Sequence, residues 1–379
     1  MSPIPNSPNQ PGGFAPVPQP PIEPPRRELP TRVILEQSGG RFGRWSGRLG
    51  WFLFVLALIY IAGTYGSYSS YMQTNPKLEE RYFSNSRTAT DKVAIITIEG
   101  IIEHQDGFAK WQIDQAREDP NVKAVVVRVD SPGGTITGSN YLYHQLNELA
   151  KEKKIKLVVS MGGMAASGGY YVSMAVGNTP DTIYAEPTTW TGSIGVVIPH
   201  YDISELLEKW NVSDDSIVSN PLKLIGSPTR KVSPELAKQE HDILQNLVDE
   251  SFSDFKDIVK AGRPEFQKNP DELDKIATGQ VFTAKQALKD HLVDKLGYID
   301  DAVAQAIALN GLNAESVRVV KYDAPKSLLN LFAGASASSD LASLAHGSRL
   351  DLSALLDLTA PRAYYLCTWL PAVARQGGL

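Results

Sequence analysis

The stretch Lys156-Leu-Val-Val-Ser-Met-Gly-Gly-Met-Ala-Ala-Ser-Gly-Gly-Tyr-Tyr171 decides the fold. Its apolar, β-branched start at 157–159 is typical of a buried strand, and residues 170–175 are able to continue as a helix. A strand that turns through a glycine-rich corner into a helix exposes one small polar side chain, here Ser167, beside free backbone N–H groups. Ser167 is therefore a candidate nucleophile. For Ser-Gly-Gly alone, the simpler interpretation is a tight turn with an incidental serine.

Strand and helix patterns alternate around this stretch. Residues 93–98 and 124–129 read as strands, and residues 108–117 and 139–153 as helices. This alternation predicts an α/β fold built of βαβ units around a mainly parallel sheet with flanking helices. Sites in such sheets form at the carboxyl ends of the strands. Because Asp130-Ser-Pro-Gly-Gly134 and the loop at 163–169 both follow strands, we expect these two glycine-rich loops to face each other.

Three later segments carry clear local signals. Ser233-Pro-Glu predicts the start of a long helix, with the serine as N-cap and the proline in the first turn. Thr283-Ala-Lys-Gln286 has the pattern of a capping box at the start of another helix. Residues 363–369 are compatible with a late strand.

Composition excludes several kinds of protein. The chain has 379 residues, 42% of them hydrophobic, which is ordinary for a globular protein. Its net charge of −5 gives no support to nucleic-acid binding, which usually needs a basic face. Cys367 is the only cysteine, which excludes an intramolecular disulfide and a cysteine-rich metal site. We expect neither a metal nor a cofactor.

The N-terminal region predicts a membrane anchor. Residues 1–48 are proline-rich and are expected to form a disordered tail on the cytoplasmic side. Residues 49–68 are apolar and uncharged, which predicts a single transmembrane helix, followed by a linker at 69–90. Arginines cluster just before the apolar run, so the N-terminus is expected in the cytoplasm and the rest of the chain outside it. A cleaved signal peptide and a buried core helix are the alternatives.

A nucleophilic serine needs a base. The chain has six histidines, and none lies in a glycine-rich loop: His104, His144, His200, His241, His291 and His346. Only His200, which lies in a strand-to-helix connection, is kept as a second candidate for the base. A lysine serves as base if burial lowers its pKa, and Lys223 lies in the apolar, turn-rich segment 219–228.

With these residues in hand, the chain resembles the signal peptide peptidases of the SppA type, the S49 serine peptidases of ClpP/crotonase fold. The resemblance covers about 93–309, within a domain placed at 91–322, and leaves 323–379 as an extension. It rests on four motifs in the family's order: Asp130-Ser-Pro-Gly-Gly134, Met164-Ala-Ala-Ser-Gly-Gly-Tyr-Tyr171, Thr191-Gly-Ser-Ile-Gly195, and Ala277-Thr-Gly-Gln-Val-Phe-Thr-Ala-Lys-Gln-Ala287 running on to Leu292-Val-Asp-Lys-Leu-Gly297.

The resemblance implies a role for each matching residue. Ser167 would be the nucleophile and Lys223 the general base of a Ser/Lys dyad. Ser193 would hydrogen-bond the lysine and orient it. The N–H groups of Gly134 and Gly168 would form the oxyanion hole, where each donor contributes a few kcal/mol.

The resemblance also implies substrates and assembly. Family members cleave remnant signal peptides and form dome-shaped rings whose grooves span neighbouring subunits, so we expect apolar peptide substrates and a membrane-attached homo-oligomer. Three alternatives stay open. They are an acyl-CoA hydratase or isomerase on the same fold, a non-catalytic membrane scaffold, and a degradative or regulatory protease of the same family.

Overall fold

A computed structural model describes residues 41–72, 78–103, 105–324 and 364–366. The expected Pro-rich tail falls largely outside these residues, as does most of the extension after 323. The chain divides into two compact units, Met1–Met72 and Gln73–Leu379.

Within the described residues, the first unit contains one helix, α1 (Arg41–Met72). Large apolar side chains near its middle are more than half exposed, among them Trp51, Phe52, Phe54 and Ile59. Within the part of the chain that the structure describes, no helix combines the length and apolarity that crossing a membrane requires.

The second unit is an α/β structure. Its strands in the described residues are β1 (Glu79–Asn85), β2 (Asp91–Ile102), β3 (Val122–Thr135), β4 (Leu157–Ala166), β5 (Ile183–Ala185), β6 (Trp190–Gly192), β7 (Val281–Thr283), β8 (Lys295–Leu296), β9 (Val317–Asp323) and β10 (Tyr364–Leu366). Its helices there are α2 (Phe108–Glu118), α3 (Ile136–Lys153), α4 (Gly168–Ser173), α5 (Ser204–Lys209), α6 (Pro234–Gly262), α7 (Pro264–Lys268), α8 (Pro270–Ile276), α9 (Ala284–Lys289) and α10 (Ile299–Leu309).

All ten strands belong to one sheet, with the main order β1-β9-β2-β3-β4-β5-β8. From β9 through to β8 the neighbours on this path are parallel, which confirms the predicted mainly parallel sheet. Three pairs are antiparallel: β1 with β9, β6 with β7, and β10 with β3. Since β3 and β4 are central and parallel, their carboxyl ends meet at one edge.

The sheet separates two apolar cores. Alternate side chains of one strand point to opposite faces, so Ile96 of β2 enters the larger core while its neighbour Ile95 enters the smaller one. The larger core includes residues of α3, α4 and α6, and the smaller core includes α10. Burial on both faces explains why β2 and β3 read as continuous apolar runs.

The predicted helix starts are confirmed. The Ser233 Oγ accepts a hydrogen bond from the Leu236 N–H at 3.3 Å, which caps α6. Thr283 and Gln286 form the capping box of α9. The reading of Asp130-Ser-Pro-Gly-Gly134 as a loop was wrong, because β3 continues through it to Thr135. Long-range partners hold this extension: Gly133 and Gly134 pair with β2 on one side and with β10 on the other.

Candidate active site

Ser167 lies at the corner between β4 and α4. Its φ of 54° and ψ of −115° place a non-glycine residue at positive φ, which costs about 1–3 kcal/mol. Two backbone hydrogen bonds hold the corner: the Ser167 N–H donates to the Gly192 carbonyl at 2.7 Å, and the Tyr171 N–H donates to the Ser167 carbonyl at 2.8 Å. Ser167 is 1% exposed. The corner is thus a fixed, strained turn rather than an incidental serine in a mobile loop.

Two glycine-rich segments meet at this corner, as the sequence predicts. A Cβ on Gly133, whose φ is 104°, would lie 2.7 Å from the Gly168 nitrogen and 3.1 Å from the Ser167 Cβ. A Cβ on Gly168 would lie 3.1 Å from the Gly134 nitrogen. Only glycine permits so close an approach, and it brings the backbone N–H groups of Gly134 and Gly168 to one place.

The buried side chain of Ser131 holds the backbone at Gly133 in place. The Ser131 hydroxyl donates to the Gly100 carbonyl at 2.5 Å and accepts from the Gly133 N–H at 3.1 Å. On the following helix, the Ser139 hydroxyl donates to the Thr135 carbonyl at 2.9 Å and lies against Gly168. Sequence reasoning did not single out Ser131 or Ser139, since a serine in a turn or a helix gives no signal of its contacts.

Ser193 lies next to the same corner. It follows β6, whose Gly192 is paired with Ala166 and accepts the hydrogen bond from Ser167. Ser193 is 6% exposed, has a φ of 52°, and donates its backbone N–H to the Gln280 carbonyl at 2.8 Å. The structure therefore brings Ser167, Ser193, Gly134 and Gly168 together within one chain.

Lys223 is exposed and, in the described part of the chain, makes no hydrogen bond to these four residues. It lies in a short 3₁₀ helix, Pro221–Leu224, that Asn220 caps through a hydrogen bond from the Leu222 N–H. Its side chain is exposed, and in the described residues it contacts neither Ser167 nor Ser193 through a hydrogen bond or an ion pair. Lys223 thus lacks, within one chain, the burial that a lysine base needs.

The second candidate base, His200, is also exposed. It lines a cavity of about 190 Å³ with His241, Glu240 and Arg230, and Ser167 is not part of that lining. Among the described residues, no group of three or more His, Cys, Asp and Glu side chains is arranged to hold a metal ion.

The chain is similar to known peptidases. The profile of peptidase family S49 matches residues 149–313, a range that contains Ser167, Gly168, Ser193 and Lys223. The Synechocystis protein named "Putative protease slr0021" is 37% identical over 243 residues, covering 64% of this chain and 83% of that protein.

Two further relatives are much longer. Protease 4 of Salmonella typhi is 40% identical over 199 residues, covering 52% of this chain and 30% of its own length. Serine protease SPPA, chloroplastic, of Arabidopsis thaliana is 31% identical over 229 residues, covering 57% of this chain and 32% of its own length. The chain therefore spans most of the Synechocystis relative and about a third of the other two.

Proposed function

Because this chain belongs to peptidase family S49, we propose that it is a serine endopeptidase in which Ser167 is the nucleophile and Lys223 the general base. One observation carries the proposal: Ser167 stands at a strained corner against two backbone N–H groups, those of Gly134 and Gly168. A nucleophile beside two convergent donors is the arrangement that acyl transfer requires.

The proposed reaction has two halves. In the first, the Ser167 Oγ attacks the substrate carbonyl carbon, Lys223 takes the hydroxyl proton, and the Gly134 and Gly168 N–H groups bind the oxyanion. Lys223 then gives the proton to the leaving amine as the C–N bond breaks, which leaves an acyl group on Ser167. In the second half, Lys223 takes a proton from a water molecule as that water adds to the acyl carbon. Lys223 then returns the proton to the Ser167 Oγ as the ester C–O bond breaks and the free acid departs. Ser193 orients the lysine.

In this mechanism, burial of Lys223 requires that several copies of the chain associate. A lysine serves as a general base only if its ammonium is desolvated, and in one chain Lys223 is exposed. The segment 199–232 that carries it also exposes large apolar side chains, among them Tyr201, Trp210 and Ile217, at 73%, 66% and 100%. Such a surface is typical of a protein interface. We therefore place Lys223 in a groove that forms when copies of the chain join as a ring.

We further propose that the enzyme acts at a membrane on apolar peptides such as remnant signal peptides. The exposed apolar side chains of α1, which include Trp51, Phe52 and Phe54, are suited to contact with lipid. In this proposal α1 attaches the enzyme to the membrane, and the arginines that precede its apolar run favour an N-terminus in the cytoplasm.

The test is peptidase activity of the full chain in detergent on short apolar fluorogenic peptides between about pH 6 and pH 10. Ser167→Ala and Lys223→Ala are both expected to lose at least about 10³-fold in kcat/KM. The control Lys209→Ala changes another exposed lysine of the same segment and should retain wild-type activity. An active Lys223→Ala variant would exclude Lys223 as base, and an assembled wild type that binds peptides without cleaving them would favour the scaffold function.

A further inference from the structure

A buried ion pair holds the 3₁₀ helix that carries Lys223. The Arg230 guanidinium donates from Nη1 to the Pro221 carbonyl at 3.0 Å and from Nη2 to the Leu224 carbonyl at 3.3 Å. The same Nη2 donates to the Glu240 carboxylate of α6. Because Pro221 and Leu224 are the first and last residues of the 3₁₀ helix, Arg230 holds that helix at both ends.

This contact is buried although the residue between its two carbonyls is exposed. The side chains of Arg230 and Glu240 are 14% and 9% exposed, whereas Lys223 is an exposed residue. Since the desolvation of two charges offsets most of their attraction, a buried ion pair is weak evidence of added stability. What this pair does provide is a fixed backbone geometry at Lys223.

Helix α6 relates this geometry to the core of the second unit. Glu240 lies in the first half of α6, and Phe255, further along the same helix, is fully buried in the larger core. The Phe255 ring packs against that of Tyr171, on the helix that follows Ser167, at a centroid distance of 5.2 Å. A continuous α-helix is a stiff connection. The 3₁₀ helix is thus held, through α6, on the same core that holds the Ser167 corner.

We propose that Arg230 and Glu240 are positioning residues of the peptidase, which hold the backbone of Lys223 so that its amine reaches the Ser167 hydroxyl when the groove forms. The inference rests on the proposed Ser/Lys mechanism and adds to it the two residues that orient the base. A displacement of about 1 Å at a reacting group costs about 10²-fold in rate. Because the lysine side chain is long and flexible, a fixed backbone limits how far its amine strays.

The contact requires an arginine rather than any cation. Two different nitrogens of one planar group serve three acceptors here, the two carbonyls and the Glu240 carboxylate. A lysine carries all its donors on one nitrogen, so at position 230 it is able to keep Glu240 but not both carbonyls. Arg230→Lys therefore preserves the ion pair and loses part of the contact with the 3₁₀ helix, which separates positioning from charge.

The first experiment measures the backbone. Amide hydrogen exchange of the full chain in detergent is recorded over residues 220–227, where the Lys223 N–H donates to the Asn220 carbonyl at 2.9 Å. Arg230→Met is expected to speed exchange there at least about tenfold. The control Lys231→Met removes the neighbouring exposed ion pair with Glu208 and should speed it less than about twofold. Unchanged exchange in Arg230→Met would overturn the positioning role, whether or not the protein is a peptidase.

The second experiment measures turnover of short apolar fluorogenic peptides by the same full-length variants. Arg230→Met should lower kcat at least about 30-fold and Arg230→Lys at least about tenfold, while KM changes less than about threefold, because a misplaced base affects the transition state rather than substrate binding. Lys231→Met should retain wild-type values. A loss of kcat that only equals the loss of folded or assembled protein, measured by thermal denaturation and sedimentation, would overturn the proposal. Should Arg230→Met not fold, Arg230→Lys decides.

A double-mutant cycle tests whether Arg230 acts through Lys223. If it does, Arg230 has no effect once the base is gone, so Lys223→Ala/Arg230→Met should hydrolyse an activated aryl ester of the same peptide within about twofold of the rate of Lys223→Ala. Additive losses would overturn the proposal. A wild type that hydrolyses neither substrate would refute the peptidase function and this inference with it. Full kcat in both Arg230 variants of an active enzyme would refute the positioning role alone.

Discussion

The corner at Ser167 and the segment at 199–232 differ in how far a single chain buries and fixes them. The corner is complete within one chain: Ser167 is buried, backbone hydrogen bonds of its N–H and C=O groups hold it in place, and glycines of β3, β6 and α4 lie around it. The segment around Lys223 has one short α-helix and one 3₁₀ turn, and it exposes apolar side chains such as Trp210 and Ile217. In the proposed mechanism, the nucleophile and the oxyanion donors are preorganised by folding, while the base depends on assembly.

The largest expected effect is a loss of activity when the corner at Ser167 is altered. Gly133→Ala should lower kcat/KM by about 10²–10³-fold, because the new methyl group displaces the Gly168 nitrogen, a proposed oxyanion donor. The matched control is Gly311→Ala, which also has positive φ, at 67°, and meets nothing within 4 Å. We expect the control to lose about 1 kcal/mol of unfolding free energy and no activity. Equal losses of activity in both variants would mean that backbone strain, rather than the collision, is responsible.

The next effect tests the dependence of the base on assembly. Trp210→Ser removes an exposed ring from the segment of Lys223 and should lower both the oligomer fraction, measured by sedimentation, and peptidase activity by about tenfold or more. Tyr298→Ser removes a ring of similar exposure, 56%, from the start of α10 and should change neither. A Trp210→Ser protein that is monomeric and fully active would show that one chain completes the site.

The smallest expected effect is on the free energy of unfolding, through an ion-pair cluster at the sheet that leads to the Ser167 corner. Lys92 donates to Glu80 and Asp119 at 2.7 Å, and although burial opposes charge on both Lys92 and Asp119, these contacts raise the pKa of the lysine and lower that of Asp119. Lys92→Met should cost about 1–3 kcal/mol of unfolding free energy at pH 7 and leave activity unchanged.

The pH dependence of that loss has a definite sign. A lowered carboxyl pKa stabilises the fold above the ordinary pKa of about 3.9, and the stabilisation disappears as pH falls through the lower folded-state value. Urea unfolding of wild type and Lys92→Met should therefore differ most at pH 7, and the difference should shrink as pH falls below about 3.9. A difference that does not shrink there would assign the cost to lost packing of the lysine stem.

Local patterns predicted much of this molecule. The β-branched run at 157–159, the N-cap Ser233 and the capping box at Thr283 all act within a few residues, and each is confirmed. The predicted place of Ser167 at a strand-to-helix corner, opposite Gly133 and Gly134, is confirmed as well, because the carboxyl ends of adjacent parallel strands meet.

What the sequence did not predict depends on distant partners. The extension of β3 to Thr135 needs β2 and β10, and nothing near Gly133 indicates either. The pattern at 363–369 favoured a strand but carried no signal of its neighbours. The exposure of Lys223 was missed for the same reason: an apolar local sequence predicts burial without saying what would bury it.

The pairing of β10 with β3 also sets an order of events at the ribosome. About 230 residues separate Thr135 from Tyr364, so roughly 10 to 50 s of synthesis pass between them. Over most of that interval the residues of β3, β4 and α4 have already been synthesised, while β10 is still missing. The edge of β3 at Gly133 and Gly134 therefore stays without its β10 partner until Tyr364–Leu366 has been made, long after β3 and β4 are able to pair.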